Sequence, residues 1–184
     1  MTRFFILVLS LLSVGCSVKQ TPSFQATEQI AFNGKTFALA KTADLTEMVR
    51  YIYNPNGDSA SREKVTLFFD RNRHNLSLSQ RLSLRQRSYR QSADTLAELT
   101  IDDKTLYSTV IYRPSRQFAY WGVEVTKGKN IADCGFLEFQ YSYGVNGKKQ
   151  SPNAETAFLA KIIYPAARQY RQHLQQQPWL WQCS

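Results

Sequence analysis

Apolar and polar residues alternate along several runs of the chain, and turn-forming residues separate these runs. Residues 30–40 place Asn33-Gly34 between two apolar stretches, which predicts a β-hairpin with a two-residue turn. Two further strands are predicted by the runs TEMVRYIYN at 46–54 and KVTLFFD at 64–70. The segment Pro55-Asn56-Gly57 marks a turn between them. This part of the pattern therefore indicates strands joined by short connections.

The hydrophobic period changes between residues 76 and 91. Leu78, Leu82 and Tyr89 fall on one face of a helix. Leu76, Leu78, Leu82 and Leu84 are also separated by even numbers of positions, which would suit a strand. The high Gln and Arg content favours a helix, so we expect a helix here and keep the strand as the alternative.

The strand pattern returns over residues 96–144. Two strands are predicted on either side of Asp102-Asp103-Lys104, a third in QFAYWGVEVTKG and a fourth in CGFLEFQYSYG. Asp102 and Asp103 are adjacent carboxylates, a pattern that could serve acid–base chemistry. Their position between two strands instead predicts a turn.

A long C-terminal helix is predicted to begin after Ser151 and to end by Gln177. Ser151 is the expected N-cap, and Pro152 suits the first helical position. Pro165 lies inside the helix and should kink it, because proline lacks the backbone N–H. The expected apolar stripe consists of Phe158, Ile162, Ala166 and Tyr170.

The order of these elements predicts an α+β fold, in which about two helices cover one face of a mostly antiparallel sheet. We expect a single domain over residues 30–184, because this length suits one domain of common size. The order of hairpin, helix, strands and closing helix over residues 30–177 resembles the PsbP-like fold. A similar order of elements implies no function.

The first 15 residues predict a signal peptide. Arg3 precedes a nearly apolar run at residues 4–12, and the small residues Ser13 and Gly15 follow. This run is too short to cross a bilayer as a helix, which needs about 20 residues. The pattern therefore indicates export.

The segment Ser13-Val14-Gly15-Cys16 resembles a bacterial lipobox, in which the cysteine becomes the first mature residue and carries the lipid. It departs from the lipobox at Ser13, where Leu is usual. The alternative is a soluble secreted protein cut by ordinary signal peptidase. If Cys16 does carry the lipid, residues 16–29 are the lipidated cysteine and a polar tether. In the lipoprotein class an Asp after the cysteine resembles an inner-membrane retention signal, so Ser17 implies the outer membrane.

Cysteine counting supports this prediction. The chain has three cysteines, and an odd number in an exported protein leaves one without a partner. If lipid occupies Cys16, then Cys134 and Cys183 are left to form a disulfide, which suits an oxidising periplasm. Two buried free thiols are the alternative. Two cysteines and two distant histidines lack zinc-ligand spacing, so we expect no metal or other cofactor.

No motif for catalysis is found in the sequence. Nucleophilic catalysis needs a Ser or Cys near a His base, whereas His74 and His173 both lie in polar contexts. The eight glycines are scattered at turns and do not form a phosphate loop. We therefore expect no enzyme, although a pocket lined by titratable groups with strongly shifted pKa values would favour one.

The net charge of +9 predicts anionic neighbours. In a bacterial envelope these are an acidic protein, lipid phosphates or an anionic glycan, whereas nucleic acid does not fit the compartment. The strongest cluster contains no acidic residue and consists of Arg71, Arg73, Arg81, Arg85, Arg87 and Arg90. Arg81 and Arg85 would repel each other as i, i+4 neighbours, and an anionic partner would offset that cost. The alternative is a solvated helix face.

Two hypotheses for function follow. The first is a non-enzymatic envelope lipoprotein that acts as a binding or assembly module, for example in a secretion or conjugation apparatus. The second is a periplasmic immunity lipoprotein that neutralises a delivered toxin, because small size, export and absent catalytic motifs suit it equally.

Overall fold

The structure, a computed structural model, describes residues 23–132, 134–179 and 181–183, so the predicted signal peptide and Cys16 lie outside the described residues. The strands are β1 (Phe24–Ala26), β2 (Gln29–Phe32), β3 (Lys35–Asp44), β4 (Met48–Pro55), β5 (Lys64–Asp70), β6 (Thr95–Asp102), β7 (Thr105–Tyr112), β8 (Tyr120–Ile131), β9 (Gly135–Asn146) and β10 (Trp181–Cys183). The helices are α1 (Leu78–Arg90), α2 (Pro152–Phe158) and α3 (Tyr164–Gln176), and a π turn at Leu159–Ile163 joins the last two into one C-terminal helix. The predicted α+β class is confirmed.

Eight strands form one antiparallel sheet in the order β2-β3-β4-β5-β9-β8-β7-β6, and β1 pairs with β10 separately. The β2–β3 turn has positive φ angles of 50° at Asn33 and 72° at Gly34. The β6–β7 turn has positive φ angles of 40° at Asp103 and 57° at Lys104. Two consecutive residues with positive φ suit the right-handed twist of the flanking strands. Both hairpin turns predicted from the sequence are therefore confirmed.

One face of the sheet carries the hydrophobic core, and the C-terminal helix covers it. Leu137, Phe139 and Tyr141 alternate along β9 and are almost fully buried on this face. The ring of Tyr170 from α3 lies 4.9 Å from the ring of Tyr141, measured between centroids. Because successive strand residues point to opposite faces, the residues between them belong to the other side.

The C-terminal helix buries Leu159, Ile163, Ala167 and Leu174, and the first three of these each lie one position after a residue of the predicted stripe. Ile162 of the predicted stripe is 49% exposed. The other three residues of that stripe, Phe158, Ala166 and Tyr170, are partly buried against the core, so the buried face is wider than the predicted stripe and includes Ile163 in place of Ile162. The π turn ends just before Pro165 and accommodates the missing backbone N–H there.

The prediction that both helices cover one face of the sheet was wrong. Phe136 and Glu138 alternate with the core residues of β9, and α1 lies on their side. The guanidinium of Arg81 in α1 is 4.2 Å from the centroid of the Phe136 ring. Polar residues on this second face, Gln140 and Ser142 among them, leave too little apolar surface for a second large core.

The domain begins earlier than the predicted boundary at residue 30. Phe24 in β1 pairs with Cys183 in β10, and its side chain stacks on Phe69 with 5.1 Å between ring centroids. The predicted disulfide between Cys134 and Cys183 is confirmed and ties β10 to the β8–β9 connection. The end of the predicted tether is therefore part of the folded domain, because its apolar residue Phe24 has a place in the core. In the described part of the chain, no helix is both long and apolar enough to cross a bilayer.

Candidate functional site

The first arginines of the predicted cluster are paired within the chain. Arg71 donates to both carboxylate oxygens of Asp44, at 3.0 and 2.8 Å, and to the carbonyl of Thr46 at 2.7 Å. This hydrogen bonding lowers the pKa of Asp44. Arg73 pairs with Glu47 at 3.1 Å. Both arginines therefore hold the β5–α1 connection against the β3–β4 turn.

The next two arginines lie between α1 and the sheet. Arg81 is 7% exposed and donates to Asp70 at 2.6 Å and to Asn72 at 2.7 Å. Arg85 forms an ion pair with Glu138 at 2.5 Å. The premise that these neighbouring guanidinium groups lack a compensating charge was wrong, because β5 and β9 supply the carboxylates. Burial opposes the charge of Arg85, yet the attraction of Glu138 prevails and raises the pKa of Arg85.

Arg87 and Arg90 complete the cluster, and both are exposed. Among the residues that the structure describes, neither has an ion-pair partner. Arg87 lies beside Leu84, which is 47% exposed, along a shallow groove on the outer side of α1. The structure thus divides the predicted cluster into four arginines that pair with carboxylates of the same chain and two that are exposed on α1.

A larger cleft, which no pattern in the sequence predicts, opens on the second face of the sheet. Its volume is about 830 Å³. Strands β5, β7, β8 and β9 form the floor, and the connections β4–β5, α1–β6 and β7–β8 form the rim. Most of the side chains that line it are polar, which explains why no apolar pattern marked it.

Two glycines that face each other in β8 and β9 leave space at the floor of the cleft, because neither has a side chain. Gly122 of β8 pairs with Gly144 of β9 in the sheet register. A Cβ atom at Gly144 would lie 2.9 Å from side-chain atoms of both Arg62 and Tyr120. Gly144 thus allows the Arg62 and Tyr120 side chains to lie across the strand. A glycine inside a strand often marks a place where another group must approach the backbone closely.

Glu124 and Tyr112 form the polar centre of the floor. The hydroxyl of Tyr112 donates to a carboxylate oxygen of Glu124 at 2.9 Å. Burial raises the pKa of Glu124, an effect that this hydrogen bond partly opposes. Burial and the nearby carboxyl of Glu124 raise the pKa of Tyr112 as well. Both groups therefore favour their neutral forms more than they would in water.

The rim near Gly144 carries positive charge and aromatic rings. The guanidinium carbon of Arg62 lies 4.6 Å from the centroid of the Tyr120 ring, and Arg62 donates to Asn146 at 2.5 Å. Phe118 is 50% exposed, with its ring centroid 5.8 Å from that of Tyr120. Lys64 is exposed at the start of β5. Within the described ranges, neither Arg62 nor Lys64 forms an ion pair.

Arg113 fixes the opposite part of the rim. Its Nε donates to Glu155 of α2 at 2.8 Å, and its Nη1 donates to the carbonyl of Ala93 at 2.9 Å. One half-buried guanidinium therefore joins the end of β7, the α1–β6 connection and the C-terminal helix.

Sequence reasoning missed the cleft because its residues come from distant segments. Glu124, Tyr112 and Arg62 each lie in a different strand or connection. The one local signal was the isolated glycines inside the predicted strands that became β8 and β9. Among the described residues, no group of three or more His, Cys, Asp or Glu side chains could hold a metal ion.

The cleft meets part of the condition that would favour an enzyme, since Glu124 and Tyr112 have raised pKa values. Acid–base catalysis also needs a group that accepts a proton near the operating pH. A phenol with a raised pKa is a poor acceptor there, because it stays protonated. The Tyr112 phenol can therefore exchange hydrogen bonds with a ligand, whereas a glutamate with a raised pKa, such as Glu124, is a kind of group that acid–base catalysis uses.

Two comparisons with known proteins each match most of the described domain. A protein-family model matches residues 24–179. An uncharacterised protein of Haemophilus influenzae is 30% identical over 189 residues, which cover 96% of this chain and 97% of that protein. With so much of the chain covered, the aligned part includes the segment around Cys16. The Haemophilus protein is thus similar to this chain along almost its full length.

Proposed function

The chain belongs to the family whose model covers residues 24–179, and from this premise we propose that it is a lipid-anchored envelope protein that binds an anionic partner without catalysing a reaction. The lipid would be attached at Cys16 and would hold the domain at the outer membrane. The partner would enter the cleft on the second face of the sheet.

The cleft with its cationic rim is the observation that supports this proposal most strongly. Arg62 and Lys64 place two positive charges at the mouth of a cavity of about 830 Å³. Four of the six arginines in the predicted cluster form ion pairs with carboxylates of the same chain, namely Arg71, Arg73, Arg81 and Arg85. Arg62 and Lys64 have no such carboxylate among the described residues, so they remain available to an external anion.

The anchor is tested by the substitution Cys16→Ala in cells. The variant should appear in the soluble periplasmic fraction and should lose acyl labelling, because the lipid would have no thiol to occupy. Unchanged membrane retention of the Cys16→Ala protein contradicts the anchor. Retention of labelling by a Cys134→Ala protein shows that any loss is specific to position 16.

Partner binding is tested with a photo-reactive amino acid at two positions of equal exposure. Phe118 lies at the rim of the cleft and is 50% exposed, whereas Ile162 lies on the C-terminal helix and is 49% exposed. We expect a cross-link to an anionic envelope component from position 118 and not from position 162. Equal cross-linking from both positions contradicts the proposal. A cross-linked product from position 118 that forms only when competing bacteria deliver a toxin would instead support the immunity function.

A further inference from the structure

We infer that the cleft on the second face of the sheet binds an acidic saccharide, that is, a sugar whose ring carries a phosphate or carboxylate group. The inference rests on the proposed function, since it names the class of anionic partner that the cleft accepts. Three features of the cleft carry it: its aromatic wall, its polar floor and its cationic rim.

The aromatic wall suits the flat face of a sugar ring. Tyr120 and Phe118 lie side by side at the rim, and the face of an aromatic ring carries partial negative charge that attracts the C–H groups of a pyranose. The ring of Tyr120 lies over Gly144, so the wall stands close to the strand backbone. A ligand stacked on this wall would reach the floor with its hydroxyl groups.

The groups of the floor that can form hydrogen bonds are uncharged, apart from the carboxyl of Glu124. Hydroxyl groups of Thr66, Ser142 and Tyr112, the amide of Gln140 and the carboxyl of Glu124 all line it. The amide nitrogen of Gln140 donates to the hydroxyl of Ser142 at 2.9 Å, which orients both groups. Hydroxyls and amides both donate and accept hydrogen bonds, as sugar hydroxyls do. Such a floor is complementary to a polyhydroxylated surface, whose closely spaced hydroxyl groups each donate and accept hydrogen bonds.

The rim supplies the charge that the floor lacks. Arg62 covers one side of the Tyr120 ring, so a sugar stacked on the exposed Phe118 ring beside it would bring a ring substituent close to the guanidinium. Arginine binds phosphate and carboxylate groups in a bidentate way, and Lys64 adds a second cation beside it. A ligand with a neutral body and one anionic substituent therefore matches the cleft from floor to rim.

The size of the cleft agrees with this class of ligand. Its volume of about 830 Å³ lies in the range of small-molecule sites, which is roughly 300 to 1,000 Å³. A site of this volume accepts one or a few sugar units. Lipopolysaccharide cores and peptidoglycan fragments both contain sugars with acidic groups, so the test must distinguish these two sources.

The test is calorimetric titration of the full chain, purified from membranes in detergent, with three soluble probes. The first is the phosphorylated core oligosaccharide of deacylated lipopolysaccharide, and the second is the peptide-free disaccharide of N-acetylglucosamine and N-acetylmuramic acid, whose lactyl carboxylate is free. The third is an uncharged chitin oligosaccharide of similar length. We expect saturable binding of one acidic probe, and at least tenfold weaker binding of the uncharged one, because only the acidic probe contacts the rim cations.

Matched variants assign the binding to the cleft. Arg62→Gln and Lys64→Gln should each weaken binding of the acidic probe by about tenfold or more and leave the uncharged probe nearly unaffected. Arg87→Gln removes an exposed arginine on α1 and should bind as the unaltered protein does. Equal losses of affinity for the acidic probe in Arg62→Gln and Arg87→Gln contradict a specific site in the cleft. Because Arg62 also contacts Tyr120, Lys64→Gln keeps the test valid if Arg62→Gln disturbs the wall.

The outcomes separate this inference from the proposed function. If no saccharide binds but position 118 still cross-links to an acidic protein, the saccharide inference is wrong and the proposed function stands. If an acidic saccharide binds but Cys16→Ala stays in the membrane, the saccharide inference stands and the proposed anchor is wrong. If none of the three probes binds and no cross-link forms, both the saccharide inference and the proposed function are wrong.

Discussion

Arg85 of α1 and Glu138 of β9 form an ion pair of 2.5 Å between the helix and the centre of the sheet. Glu138 is 5% exposed, so its charge is shielded from water and depends on this partner. Arg81 makes the equivalent contact one turn earlier, to Asp70 at the end of β5. These two pairs, more than apolar packing, attach α1 to the second face.

Reversal of the charge at Arg85 should therefore destabilise the domain. Arg85→Glu would place two carboxylates side by side, and we expect a loss of about 3 kcal/mol or more in the free energy of unfolding. Arg87→Glu, two residues later on the exposed side of α1, should change it by about 0.5 kcal/mol or less. Urea unfolding of both variants measures the difference. Similar midpoints for the two proteins would show that the Arg85–Glu138 pair contributes little.

The disulfide is expected to contribute to stability through the chain that it closes. Cys134 and Cys183 are separated by 49 positions in sequence, and a loop of that length corresponds to about 4 kcal/mol in the chain-entropy model. We expect the Cys134→Ser, Cys183→Ser double variant to unfold at a lower urea concentration. The oxidised protein treated with a reductant should match it. A reduced protein as stable as the oxidised one would contradict this expectation.

Lys127 makes the stability depend on pH in the alkaline range. Burial, with a smaller effect of Lys129, lowers the pKa of Lys127 to about 8, so above this pH the folded protein holds this amine neutral. The unfolded chain keeps it protonated up to about pH 10 and so binds more protons, which means that stability rises with pH. We expect a rise of at most about 1.4 kcal/mol per pH unit between pH 8 and about 9.5, measured by urea unfolding.

Two substitutions test the assignment to Lys127. Lys127→Met should remove the rise, because no amine titrates at that position. Lys129→Met should only reduce it, because burial is the main cause of the lowered pKa. The ammonium of Lys127 lies 4.3 Å from the Trp179 ring centroid and donates to the carbonyl of Gln177. A rise that persists in Lys127→Met would have to come from another group.

Glu124 should have the opposite effect in the acidic range. Its folded-state pKa is raised by burial, so the folded protein keeps the proton at pH values where the unfolded chain has lost it. Stability from this group is therefore lost as the pH rises from the ordinary glutamate pKa through the raised one. As the pH rises through this range, the free energy of unfolding of Glu124→Gln should increase relative to that of the unaltered protein, as measured by urea unfolding. A constant difference between the two proteins at every pH would contradict the raised pKa.

The strands and turns could be predicted because their signals are local. Asn33-Gly34 can adopt two positive φ angles within two residues, and the apolar alternation of β5 and β9 needs no distant partner. The side of the sheet that α1 covers could not be predicted this way. It depends on Asp70 and Glu138, which lie outside the helical segment and meet its arginines only after β5 and β9 have paired.

The cleft was beyond sequence reasoning for a similar reason. Arg62 and Asn146, which hydrogen bond at its rim, are 84 positions apart. No periodic pattern marks polar residues that line a cavity, since polar residues also cover ordinary exposed faces. Gly122 and Gly144 were the available signal. Each stands alone inside a strand, where a glycine usually needs a packing reason.

The pairing of β1 with β10 determines how the domain would respond to a pull. Tension on the chain before Phe24 would act first on three residue pairs, Phe24–Cys183, Gln25–Gln182 and Ala26–Trp181. The disulfide passes that force from β10 directly to the β8–β9 connection at Cys134, near the middle of the large sheet. A mechanical load from the N-terminal side is thus passed on to the large sheet, whereas after reduction of the bridge the pairing with β1 would no longer connect that load to Cys134.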